Sequence, residues 1–160
     1  MNRLKNVNAI SNDLIVYFKN IKVTKGMLLP LSLVQIKPTL SYNLEPNKYY
    51  CYVIVDPDAP VGFMIHLCVY NITTTNKGFE YYIYKPPAPP AGSGPKKDGE
   101  HRYFCILYEQ SSKIVGKKKV LGRGFKEYDD FKDLLGVDLN AIAYKYFCCK
   151  NGYVNSWEKN

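Results

Sequence analysis

The chain has 160 residues, 46% of them hydrophobic and 22% charged, and a net charge of +8. That length and balance describe one domain over residues 1–160 with a real core, and they exclude a disordered chain. The charge favours anionic partners (phosphorylated ligands, lipid headgroups, membranes or nucleic acid) without choosing among them.

The N-terminal MNRLKNVNAISND lacks an apolar segment, so no secretory leader is read there. The longest apolar run, Met27–Val34, is too short for a bilayer and is broken by Pro30. Membrane contact would then be peripheral. From Asp13 to Phe18 the sequence predicts a first strand, followed by Ile21–Val23 and a turn at Lys25-Gly26. Val34–Ile36 and Thr39–Tyr42 read as short strands around Pro38. Tyr49–Val55 is almost uninterrupted in its apolar character, the signature of a strand covered on both faces. Two prolines in Asp56-Pro57-Asp58-Ala59-Pro60 are expected to stop it, with Ala59-Pro60 a candidate for a cis bond.

His66–Asn71 predicts the next strand and Tyr81–Tyr84 another. Lys85–Gly99 is the main irregular stretch, and His101–Tyr108 a strong buried strand. Asp129–Leu135, with an acidic start and Gly136 as a stop, predicts a short helix. Asn140–Cys149 closes as a strand before the Asn151-Gly152 turn. The 15 tyrosines suit half-buried strands, where the ring packs and the hydroxyl stays wet. The basic clusters Lys96-Lys97 and Lys117-Lys118-Lys119 read as solvated loops. Cys51, Cys68, Cys105, Cys148 and Cys149 are odd in number and form no CxxC, so they read as reduced, mostly buried thiols of a cytoplasmic protein.

The two histidines carry the chemistry. His66 and His101 each open a predicted strand beside a Pro/Gly loop, where function concentrates. Asp56 and Asp58 stand at a strand end, where carboxylates rim a cavity or satisfy turn amides. Zinc is disfavoured. Strand alternation would put His66 with Cys68 and His101 with Cys105 on common faces, but the second pair is four strand residues, about 13 Å, apart. Pro86-Pro87-Ala88-Pro89-Pro90 reads as a stiff loop before it reads as a polyproline ligand. Gly92-Ser93-Gly94-Pro95 can bring backbone amides close to an anion, but it lacks the lysine ending of a P-loop. No serine or cysteine is visibly paired with a histidine as a nucleophile.

Asp56-Pro57-Asp58-Ala59-Pro60, then Gly92-Ser93-Gly94-Pro95 and Gly99-Glu100-His101-Arg102-Tyr103, then Tyr108-Glu109-Gln110, in this order and spacing, resemble the phosphatidylethanolamine-binding protein family, which includes Raf kinase inhibitor protein. The resemblance implies a mainly β, antiparallel Greek-key sandwich with one or two short peripheral helices. It implies a ligand pocket formed by Asp56, His66, His101, Gly94, Pro95 and Tyr103, and a structural ion pair between Asp58 and Arg102. It implies no catalysis; no cofactor and no metal are expected.

Three departures stand out. Met64-Ile65-His66 replaces the family's Trp-His-His, the loop from Pro60 to His66 is shorter than in mammalian members, and the sequence given ends soon after Trp157, which could partly replace a C-terminal covering helix. The function expected is binding of phosphate or a phosphoethanolamine headgroup with a regulatory role. The alternative is inhibition or scaffolding of a partner kinase or protease. No nucleic-acid partner is expected. The Lys/Asn/Tyr/Ile-rich composition points to an AT-rich genome, as of a virus or protist.

Overall fold

The two most apolar stretches of the chain need cover on both faces, and they take the centre of the larger sheet. The computed structural model describes residues 10–116 and 122–154. In chain order the strands are β1 (Ile15–Phe18), β2 (Ile21–Lys22), β3 (Met27–Leu28), β4 (Thr39–Ser41), β5 (Tyr49–Ala59), β6 (Gly62–Ile72), β7 (Phe79–Tyr82), β8 (Glu100–Gln110), β9 (Gly124–Phe125) and β10 (Leu139–Lys150); helix α1 spans Tyr128–Asp133. A seven-stranded sheet runs β3-β10-β8-β5-β6-β7, with β9 also on β6, and a three-stranded sheet runs β2-β1-β4.

The sandwich and the Greek key are both present. Strands β5, β6 and β7 form a meander, and β8 returns to lie on the far side of β5, giving the order β8-β5-β6-β7. The connection that makes this return is the Pro/Gly-rich stretch between β7 and β8. One pair departs from an all-antiparallel sheet, because β3 runs parallel to β10 at Met27–Phe147 and Leu28–Cys148.

Each face of the larger sheet has its own core. Tyr50, Tyr52, Ile54, Tyr103, Cys105 and Leu107 pack under the smaller sheet with Leu14, Val16 and Phe18. Cys51, Val53, Val55, Phe104, Ile106 and Tyr108 pack with Phe131 and Leu135 around α1. Period-two alternation along β5 and β8 therefore feeds both cores at once.

Several expected boundaries move. Val34–Ile36 is not a strand; Leu33–Gln35 forms a 3-10 turn. The prolines do not stop β5 at Val55, because the strand runs to Ala59 with its register slipping between Asp56 and Ala59. An irregular stretch tolerates the missing donors of Pro57. The Ala59–Pro60 bond is trans. Strand β6 begins at Gly62, so His66 sits within it and does not open it. The two-residue strands β3 and β9 were not foreseen. All five cysteines are buried free thiols. Lys117–Lys119 and Trp157 lie outside the described residues.

Candidate functional site

A bulge in β6 aims the first histidine. Ile54 pairs with Leu67 but Val55 pairs with Ile65, so His66 is the extra residue of that strand. A bulge breaks alternation and re-aims its side chain. As a result Cys68 turns into the α1-side core, with its Sγ 3.9 Å from that of Cys51, while His66 turns the other way toward Tyr103. The shared face expected for His66 and Cys68 does not form. No cluster of three or more metal-ligating side chains occurs among the described residues.

His66 is held at one ring nitrogen. Its Nδ1 lies 2.6 Å from the Lys85 carbonyl oxygen, which can only accept, so Nδ1 carries the proton and donates. The Lys85 amide donates back to the His66 carbonyl at 2.8 Å, and the Arg123 guanidinium also donates to the carbonyl of Ile65 at 3.2 Å. Nε2 is left as the nitrogen available to a ligand. Burial holds this imidazole below its ordinary pKa of 6.5, so it is neutral at physiological pH.

His101 is engaged on both sides. Nδ1 donates to Asp56 Oδ2 at 2.7 Å, and Nε2 lies 2.7 Å from Ser93 Oγ. Asp56 Oδ1 accepts the Asp58 amide at 2.8 Å. The sequence does not point to Ser93 as a partner of histidine, yet the two are in hydrogen-bond contact. The direction of this bond follows from a third contact, since Ser93 Oγ is 2.5 Å from the Pro90 carbonyl oxygen. Two oxygens that close need a proton between them, and serine has only one to give. His101 Nε2 therefore donates to Ser93. That is the reverse of the polarity a nucleophilic serine requires of its general base. With Nε2 protonated and a further proton shared between Nδ1 and Asp56, the buried pair is neutral as a unit.

Asp56 and Asp58 divide their work. Across the irregular turn at Pro57, Asp58 faces the opposite side of the sheet. There its carboxylate accepts the Arg102 amide at 2.9 Å, Nε at 3.0 Å and Nη2 at 2.9 Å. The Asp58 side chain is 3% exposed and that of Arg102 29%. The guanidinium is held above its ordinary pKa chiefly by its hydrogen bond to Asp58. This is the ion pair the resemblance implied.

Around His66, Asp56 and His101 lies a cleft of about 140 Å³, closed by Pro60, Pro86, Pro89 and Tyr103. The Tyr103 ring meets His66 edge-on at 5.1 Å and lies 6.3 Å from His101. Pro87 and Pro89 are buried, so the polyproline run is a wall of the sandwich and is not presented as a ligand. Gly94 and Pro95 do not line this cleft. They border a separate, open one of about 730 Å³ with Asp58, Lys96 and Arg102. Gly94 serves the site from behind. Its φ is +90°, and a Cβ there would stand 2.3 Å from the Glu100 carbonyl oxygen. Only glycine lets the loop approach β8 closely enough for Ser93 to reach His101. Met64 lines the cleft, at the position of the family's aromatic.

Comparison with known proteins follows the same outline. The sequence model described as Phosphatidylethanolamine-binding protein matches residues 19–141. The chain is 30% identical over 140 residues to Protein FLOWERING LOCUS T of Arabidopsis thaliana, covering 79% of this chain and 74% of that protein. It is 30% identical over 108 residues to the 26 kDa secreted antigen of Toxocara canis, covering 62% of this chain but only 39% of the antigen. Among solved structures, the solution structure of CG7054 superposes with a TM-score of 0.61 at 25% identity, over 90% of this chain and 87% of that one. The crystal structure of E. coli YbcL, described as a member of the mammalian PEBP family, superposes with a TM-score of 0.54 at 17% identity, over 86% of this chain and 98% of that one, a likeness of fold. With a family match across most of its length on this shared sandwich, the chain belongs to the phosphatidylethanolamine-binding protein family.

Proposed function

We infer that the protein has a binding or regulatory role, a reading that its family membership supports. We propose that the ligand is a phosphate-bearing headgroup such as phosphoethanolamine, bound in the cleft of His66, Asp56 and His101. The observation that carries this reading is the protonation pattern of the cleft. Asp56 would repel a phosphate if it stood as a bare carboxylate, but its charge is met inside the protein by the His101–Ser93–Pro90 chain. The free Nε2 of His66 then takes up a proton, or accepts one from a phosphate monoanion, and makes the charge-assisted contact.

Bound phosphate and His66 together hold one more proton than the dianion and neutral imidazole do apart. Affinity therefore falls as pH rises through the phosphate's second ionisation, at about 6, with the buried His66 imidazole giving up its proton more readily than an ordinary histidine. Calorimetric titration of phosphoethanolamine between pH 5.5 and 8 tests this, with His66→Ala expected to weaken binding at least about tenfold, in line with one lost charge-assisted hydrogen bond. Equal affinities for wild type and His66→Ala would remove the assignment. The same pattern favours binding over turnover, because His101 Nε2 is already protonated and cannot act as the serine's base. A peripheral, cytoplasmic encounter with headgroups accords with the net charge of +8.

A further inference from the structure

The smaller sheet does not cover the whole face of the larger one. Beyond β4 a groove of about 540 Å³ opens between the two sheets. Its floor is Tyr52, Leu67 and Leu107, each no more than 4% exposed, and its sides include Leu14, Leu40 and Leu44. The walls are continuous with the core beneath the smaller sheet, so an occupant would meet the same surface the sandwich uses to pack itself. Lys37 and Lys77 also border the groove. Lys37 is paired with Glu80 at 3.1 Å, whereas Lys77 has no ion pair among the described residues.

This groove is distinct from the headgroup cleft. Tyr103 lines the cleft and Leu107 the groove, and these two residues of β8 lie about 13 Å apart along the strand. Its volume is within the range of about 300–1,000 Å³ usual for small-molecule sites. An apolar trough bordered by an uncompensated ammonium selects for one kind of molecule, a chain with an anion at its end. We propose that the groove binds a long-chain carboxylate, with the alkyl chain along Leu14, Leu40, Leu44, Leu67 and Leu107 and the carboxylate at Lys77. A neutral or cationic amphiphile would bury the same chain but leave Lys77 unmatched.

The test is isothermal titration of the full chain with octanoate, decanoate and dodecanoate, each below its micelle concentration. Saturable one-to-one binding is expected, tightening about fourfold per added methylene, the equivalent of about 0.8 kcal/mol. Dodecyltrimethylammonium should bind at least tenfold more weakly than dodecanoate. Leu44→Glu and Ile72→Glu, both at half-buried groove positions, should each weaken dodecanoate at least tenfold and leave phosphoethanolamine affinity unchanged; the second serves if the first fails to fold. Lys77→Glu should weaken dodecanoate and abolish the preference for the anion. The proposal is overturned by absence of saturable binding, by affinity indifferent to chain length or head charge, or by displacement of dodecanoate by phosphoethanolamine. It is also overturned if the groove variants change only self-association in sedimentation, which would assign this face to a second copy of the chain.

Discussion

His66 carries its own pH signature. Its pKa is lowered in the fold by burial, so as pH falls below 6.5 the unfolded chain takes up a proton before the folded one. Stability should therefore rise with pH through the window between the lowered folded value and 6.5, and level off above it. Urea unfolding from pH 4.5 to 8 reads this, and the difference between wild type and His66→Gln isolates it; a difference independent of pH would mean the imidazole is not buried as described. Asp58 offers a second residue-scale check. Its three hydrogen bonds come from the Arg102 amide and guanidinium, so Arg102→Met leaves a nearly fully buried carboxylate with one backbone amide and no countercharge. A loss of about 3 kcal/mol is expected, with much of it recovered in the double variant with Asp58→Asn. If the double variant is no more stable than the single one, the pair is not coupled. The identities of these residues were legible from the DPDAP and GxHR segments. Ser93 was in plain sight in the same loop, yet no local signal linked it to a histidine eight positions on, because only the loop's fold against β8 closes that gap.

At the scale of elements, the bulge at His66 and the loop over β8 build the site. Both were poorly visible beforehand, for different reasons. The bulge is a mismatch of register between two strands, and neither strand's sequence alone encodes it. The loop's glycines and prolines were visible, but they suggested that Gly94 and Pro95 line the ligand cleft. In the fold they pass behind it, and Gly94 earns its place by close packing on Glu100. Gly94→Ala should cost about 2 kcal/mol or more from the left-handed backbone and the contact it would force. It should also weaken phosphoethanolamine by displacing Ser93. Wild-type affinity in a folded Gly94→Ala protein would show that the Ser93 contact does not matter to binding.

At the scale of the whole molecule, the seven-stranded sheet seals the thiols. Burial pushes the Cys105 thiol up to about 12 and the Cys148 thiol to about 11. Cys51 is raised by its contact with Cys68 and by burial. At pH 8 few of these three thiols ionise, and of them only Cys148 borders solvent, at the open cleft beside Arg102. Labelling by a disulfide reagent should thus be roughly a hundredfold slower in the native protein than in denaturant, with all five cysteines reacting once unfolded. A single fast-reacting thiol in the native state would identify a face of the sheet that is open. Among the described residues no helix is long and apolar enough to cross a membrane.

What the chain could declare by itself were the properties written in consecutive residues. Apolar runs marked the central strands β5, β8 and β10, an acidic start and a glycine stop marked α1, and the two signature segments marked Asp56, Asp58, His101 and Arg102. What it could not declare depends on pairing between distant strands: the register slip that aims His66, the donor–acceptor order from His101 through Ser93 to Pro90, and the uncovered trough between the sheets. Hydrogen-bond direction is settled by which acceptor ends up opposite which donor, and a groove exists only where one layer stops short of another. Both are facts of tertiary packing, and on them the charge of the cleft and the shape of its ligand depend.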